Sequence, residues 1–196
     1  QPSVLYNGMI APLVPYAIKG ATWYQGEANT GRASQYRSLL EAMIQSWRRE
    51  WQVENFPFLI VQLAPYMAIK PEPEESDWAA LREAQVEVAR ELPKVGVSVI
   101  TDVGDEKDIH PTKKKPVGDR LALAARKLAY GENVVAFGPT FRSAAAKGGK
   151  IVVSFDNVGK GLVLRGERLT GFAIAGADEA FVNAEAEIVD QQVVVS

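Results

Sequence analysis

The sequence predicts an α/β domain built on a parallel sheet, followed from about residue 138 by a β-rich module. Three observations predict it. Through the first 130 or so residues, short apolar runs alternate with amphipathic stretches, the order that specifies a parallel sheet with helices on both faces. Residues 57–63, Pro-Phe-Leu-Ile-Val-Gln-Leu, form a nearly continuous apolar run, the mark of a strand covered on both sides. Beyond Gly138-Pro139 the helical periodicity stops, and short β-rich pieces punctuated by glycine or Asp-Asn take over.

The elements follow in order. Residues 17–24 carry the β-formers Ile18, Thr22, Trp23 and Tyr24 and read as a strand ending at Gln25-Gly26. A helix is predicted over residues 33–50, where Tyr36, Leu39, Leu40, Met43, Ile44 and Trp47 recur at helical spacing on one face. The strand at 57–63 comes next, then a Pro- and Glu-rich loop over 65–76. Asp77 is the expected N-cap of a second helix, with Trp78, Leu81, Ala84, Val88 and Leu92 along one side and Pro93 ending it. Residues 95–101 read as another buried strand and 102–113 as a polar loop. A third helix over 116–130 buries Val117, Leu121, Ala124 and Leu128, with Gly131 suited to its C-terminal cap. Five β pieces complete the chain: 151–155, 161–164, 172–175, 180–187 and 193–195. The expected domains are therefore 1–137 and 138–196, the second an antiparallel module cut short.

Composition closes several routes. With 47% hydrophobic and 23% charged residues the chain is ordinary for a globular domain, and a net charge of −2 makes no electrostatic case for nucleic acid or an anionic membrane. No apolar stretch approaches the roughly 20 residues of a membrane span. Cysteine is absent, which removes disulfides and thiolate chemistry, and a single histidine excludes the commoner zinc arrangements. No cofactor is expected. The first residues, Gln1-Pro2, and the last, a strand-like Gln-Val-Val-Val-Ser, both read as cut from something longer.

Ligands of open α/β sheets bind at the carboxyl ends of the strands, which ranks two loops first. One is Gln25-Gly26-Glu27-Ala28-Asn29, where a backbone N–H and a side-chain amide can face a developing oxyanion. The other, residues 102–111, holds His110, the only histidine, with Asp108 two residues before it and Asp105 five before it. Histidine is the usual base at neutral pH, and a neighbouring carboxylate fixes its tautomer. Plainer readings stand beside these: a solvated histidine, a strand-ending turn, and Asp102, Asp105 and Asp108 as an acidic turn or calcium ligands. Trp23 and Tyr24 suit strand packing or a sugar platform, and Lys113 to Lys115 a solvated helix start.

The runs Leu5-Tyr6-Asn7-Gly8-Met9-Ile10, Trp23-Tyr24-Gln25-Gly26-Glu27-Ala28-Asn29 and Asp108-Ile109-His110-Pro111 resemble the sialate O-acetylesterases of the SGNH hydrolase superfamily. So, in the same order, do Trp78-Ala79-Ala80-Leu81-Arg82-Glu83-Ala84-Gln85, Val117-Gly118-Asp119-Arg120-Leu121-Ala122 and Gly171-Phe172-Ala173-Ile174-Ala175-Gly176. The resemblance spans nearly the whole chain. It implies a flavodoxin-like, three-layer α/β/α hydrolase domain, here partial, with part of a β-rich domain after it. It implies a serine-type carbohydrate O-acetylesterase, in a periplasmic or secreted setting, acting on an O-acetylated sugar.

Residue by residue, the resemblance makes His110 the general base and Asp108 its orienting partner. The superfamily's Asp-x-x-His spacing is here Asp-x-His, with Lys107 at the expected position, so Asp105 or a backbone carbonyl remains an alternative support. Gln25 takes the place of the oxyanion-hole side chain, Gly26 and Glu27 shape its loop, and Asn29 touches substrate or braces the loop. The family's nucleophile lies in a Gly-Gln-Ser-Asn-type turn upstream of the Leu-Tyr-Asn segment, and no serine here matches it. An upstream segment of the same precursor is the expected partner. An unpaired sheet edge would favour that complement or self-association. An acetylxylan esterase-like enzyme and a non-catalytic carbohydrate-binding protein are the competing functional readings.

Overall fold

The structure, a computed structural model, describes residues 3–196. The chain divides into two compact units: residues up to Met67 together with Ser76–Val134, and Ala68–Glu75 together with Val135–Ser196.

In the first unit three strands, β1 (Ala21–Trp23), β2 (Phe58–Val61) and β3 (Val95–Ser98), form a parallel sheet in the order β1-β2-β3. Each is followed by a helix: α1 (Ala33–Glu50), α2 (Asp77–Glu91) and α3 (Lys114–Leu128). Alternation along β2 sets the layers. Phe58 and Ile60 pack with Tyr36, Leu40 and Ile44 of α1 and Leu81 and Val88 of α2. Val61 points the other way, into a cluster with Ile100, Val103, Val117 and Leu121. Two helices thus cover one face and α3 the other. Full burial of side chains such as Ile44, Leu81 and Val88 stabilises the unit by about 1.5–3 kcal/mol each. Among the described residues no helix is long and apolar enough to cross a membrane.

Several expectations need correcting. The strands are shorter than their apolar runs, because the ladder stops where the chain bends into the loops. The N-cap of α2 is Ser76, whose hydroxyl accepts the Ala79 N–H at 3.2 Å; Asp77 is the first helical residue, where its charge favours the helix dipole. Leu39 falls off the buried stripe of α1 and is exposed, while Arg48 is buried there and donates to the carbonyls of Phe56 and Pro93. The third helix begins at Lys114, two residues early, with Pro116 tolerated in its first turn.

The second unit is antiparallel. β4 (Thr140–Lys147), β5 (Lys150–Asp156), β8 (Ala186–Val189) and β9 (Gln192–Val195) form a sheet in the order β4-β5-β9-β8, and β6 (Ala173–Ile174) pairs with β7 (Val182–Asn183). β4 was not expected, since Arg-Ser-Ala-Ala-Ala lacks β-branched residues; the tight Gly148-Gly149 turn, with φ +59° and +76°, folds it back onto β5. Residues 161–164 are not a strand: they have no ladder partner, and Val163 is exposed. The single strand expected over 180–187 is two short ones, β7 and the start of β8.

Candidate functional site

The carboxyl end of β1 runs into the turn that carries Gln25. Glu27–Arg32 forms a short 3-10 helix that leads into α1. Gly26, at φ +150°, is buried, and a Cβ there would stand 2.7 Å from Leu81 Cδ2. Glycine is therefore required on two counts, conformation and space. The Gln25 side-chain amide donates to Asn29 Oδ1 at 3.1 Å, so Asn29 braces the loop. The Gln25 backbone carbonyl turns inward and accepts from the Tyr36 hydroxyl at 2.9 Å and from Gln85 Nε2 at 3.2 Å. Burial pushes the Tyr36 hydroxyl above its ordinary pKa, which keeps it a protonated donor.

The loop after β3 is pinned at three points. Arg120 of α3 grips the Asp102 carboxylate with both terminal nitrogens, at 2.6 and 2.7 Å, and holds that carboxyl below its usual pKa range. Gly104 lies so close to Pro65 that a Cβ would meet its carbonyl oxygen at 2.3 Å. Ile109 packs against the larger core cluster. Between these anchors Asp105 accepts the N–H groups of Lys107 and Asp108, at 2.8 and 3.3 Å, and so builds the turn.

His110 stands at the end of that loop with its side chain 87% exposed. Its backbone N–H donates to Asp108 Oδ1 at 2.8 Å, and its Nδ1 lies 3.4 Å from the same oxygen. One carboxylate oxygen thus addresses both the main chain and the ring of His110. Asp102 and Asp105 are both engaged elsewhere. Among the described residues no group of three or more His, Asp or Glu side chains is placed to hold a metal ion.

The two loops meet through a contact the sequence reading missed. Lys114 Nζ sits over the Tyr24 ring, 5.2 Å from its centroid, tying the start of α3 to the residue before Gln25. Trp23 instead belongs to the core, edge-on to Trp47 and donating to the Tyr36 hydroxyl. Gln85 was also missed. It was legible in the spacing Trp78, Leu81, Gln85, Val88, which sets one polar amide in an apolar stripe.

A parallel sheet with an amide loop and a carboxylate-paired histidine at strand carboxyl ends has the layout of a hydrolase of the SGNH-like carbohydrate esterase fold. A family model described as carbohydrate esterase, sialic acid-specific acetylesterase, matches residues 2–127, and the chain belongs to that family. The sialate O-acetylesterases of Homo sapiens and Rattus norvegicus are each 35% identical to it over 150 residues, 69% of this chain. A crystal structure of a carbohydrate acetylesterase from Xanthomonas citri matches 99% of the chain with a TM-score of 0.93 and 48% identity. The chain spans only 29% and 28% of the two curated relatives and 45% of the solved one.

Proposed function

We propose that this chain is the base- and oxyanion-bearing part of a serine-type carbohydrate O-acetylesterase of SGNH type, and that the nucleophile comes from sequence outside it. The observation that carries the reading is the Asp108–His110 pair, a 3.4 Å contact on an anchored loop with the imidazole otherwise open. The serines of the chain support the second part. Ser34, Ser38 and Ser46 lie on α1; Ser98 and Ser154 are buried within strands. Ser76, in the connection from β2 to α2, is spent as the N-cap of α2, its hydroxyl accepting the Ala79 N–H at 3.2 Å.

The chemistry follows from these roles. A serine hydroxyl attacks the carbonyl of an acetyl ester on a sugar while His110 Nε2 takes its proton and Asp108 stabilises the imidazolium. The Gln25 amide and a backbone N–H of its turn hold the tetrahedral oxyanion. Collapse breaks the bond to the sugar oxygen, which leaves with the proton from His110. Water, deprotonated by His110, then releases acetate and restores the serine.

The test is hydrolysis of p-nitrophenyl acetate by this chain alone and mixed with the upstream segment of its parent. Activity only in the mixture, lost with His110→Ala and reduced about 10²- to 10³-fold with Gln25→Ala, is the expected result. Activity in the chain alone places the nucleophile within it. A folded mixture with no activity defeats the reading.

A further inference from the structure

The turn that carries Gln25 is held from beneath by a side chain to which the sequence motifs gave no role. Gln85 of α2 is fully buried, at 0% exposure, among Trp78, Leu81 and Val88. Its Nε2 donates to the Gln25 carbonyl at 3.2 Å, and its Oε1 accepts the Leu63 N–H at 3.1 Å. It therefore bridges the chain just past β1 to the chain just past β2. Tyr36, reaching from α1, donates to the same Gln25 carbonyl at 2.9 Å, so both lone pairs of that oxygen are engaged. Gly26 leaves the room in which Leu81, Gln85 and Leu63 close on the turn.

A buried amide costs free energy unless it is hydrogen-bonded, and an aliphatic side chain would fill the same stripe without that cost. What Gln85 holds gives its placement a purpose. A trans peptide is planar, with C=O and N–H pointing in opposite directions. Fixing the Gln25 carbonyl toward Gln85 and Tyr36 therefore turns the Gly26 N–H the opposite way. We infer that Gln85, with Tyr36 as a second brace, is a positioning residue that aims the Gly26 N–H as an oxyanion donor beside the Gln25 amide. The inference rests on the esterase reading above and adds to it the groups that preorganise the donor.

The experiment uses the full-length protein, with p-nitrophenyl acetate as substrate and Gln25→Ala as reference. Gln85→Met fills the space but drops the bonds. Its kcat should fall about 10- to 100-fold with KM within about twofold, the size of effect a misplaced donor produces. Tyr36→Phe should lose a few-fold. Hydrogen exchange of residues 25–29 should quicken in Gln85→Met while residues 58–61 stay protected. Val88→Ala, buried on the same helix without polar contacts, should lower Tm and leave kcat unchanged, which separates positioning from stability. If Gln25→Ala slows turnover but folded Gln85→Met does not, the positioning role is overturned and the esterase reading stands. If Gln85→Met fails to fold, Tyr36→Phe decides, and an unchanged kcat overturns the inference. If Gln25→Ala itself keeps full turnover, the oxyanion assignment falls and takes this inference with it.

Discussion

The two loops at the strand ends are built by opposite means. The Gln25 turn is held from inside: a buried glycine, a fully buried amide and a tyrosine hydroxyl converge on one peptide. The His110 loop is held from its own chain, by Asp105 and Asp108 accepting nearby N–H groups, with Arg120, Pro65 and Ile109 as anchors at its margins. The contrast fits the work proposed for each. An oxyanion donor acts through a fixed direction and gains from rigidity, whereas a base that shuttles protons must stay open to reactant and water.

The largest effect should come from filling the inner support. Gly26→Ala meets both a disfavoured backbone conformation and a 2.7 Å contact, and should cost about 2–4 kcal/mol, read as a fall in Tm. Gly104→Ala meets the Pro65 backbone carbonyl at 2.3 Å but carries no positive-φ penalty, and should lower Tm by a somewhat smaller amount. A larger loss for Gly104→Ala would reverse the order of the two loops. Next in size, Asp108→Asn keeps an acceptor for the His110 N–H but removes the charge beside the ring. In the full-length protein it should lower kcat about 10- to 100-fold, less than for a buried triad aspartate because this pair is exposed. Asp105→Asn still accepts its two N–H bonds and should stay within about threefold. The reverse ranking would transfer the supporting role to Asp105. The smallest effect belongs to Asp102. Its folded pKa is lowered, first by the hydrogen bond from Arg120. The pair therefore contributes stability above the unfolded carboxyl value of about 3.9 and loses it as pH falls through the lower folded value. Exposed as it is, it is worth under about 1 kcal/mol. Arg120→Met should lower Tm slightly at pH 7 and by less in acid, where Asp102 is protonated and only the hydrogen bond from Arg120 to the Val99 carbonyl is lost.

Much of the first unit was legible because its signals are local and periodic. The helix over 33–50 and the strand cores at 58–61 and 95–98 follow from apolar spacing alone, and the two loops follow from the rule that sites gather at strand carboxyl ends. What escaped depends on partners distant in the chain. Nothing local marks Gln85 as the holder of a carbonyl 60 residues earlier, or Lys114 as the cover of Tyr24. The N-cap was misplaced by one residue because Ser76 and Asp77 are both good caps and only geometry chooses between them. The β-rich unit read least well. β4 is made of residues with little strand propensity, and its pairing is set by the Gly148-Gly149 turn.

The segment Ala68–Glu75 leaves the first unit between β2 and α2 and is counted with the second. There the Asn183 side chain donates to the Pro71 carbonyl at 2.8 Å and to Glu72 Oε2 at 3.2 Å. The two units accordingly do not correspond to two continuous stretches of sequence. A gene cut after Val134 would not yield a tidy module, because it would keep a loop whose hydrogen-bonding partner had been discarded. The later half transplanted alone would lack the eight residues that the earlier half lends it. Anyone shuffling these parts between relatives has to move the loop with the strands.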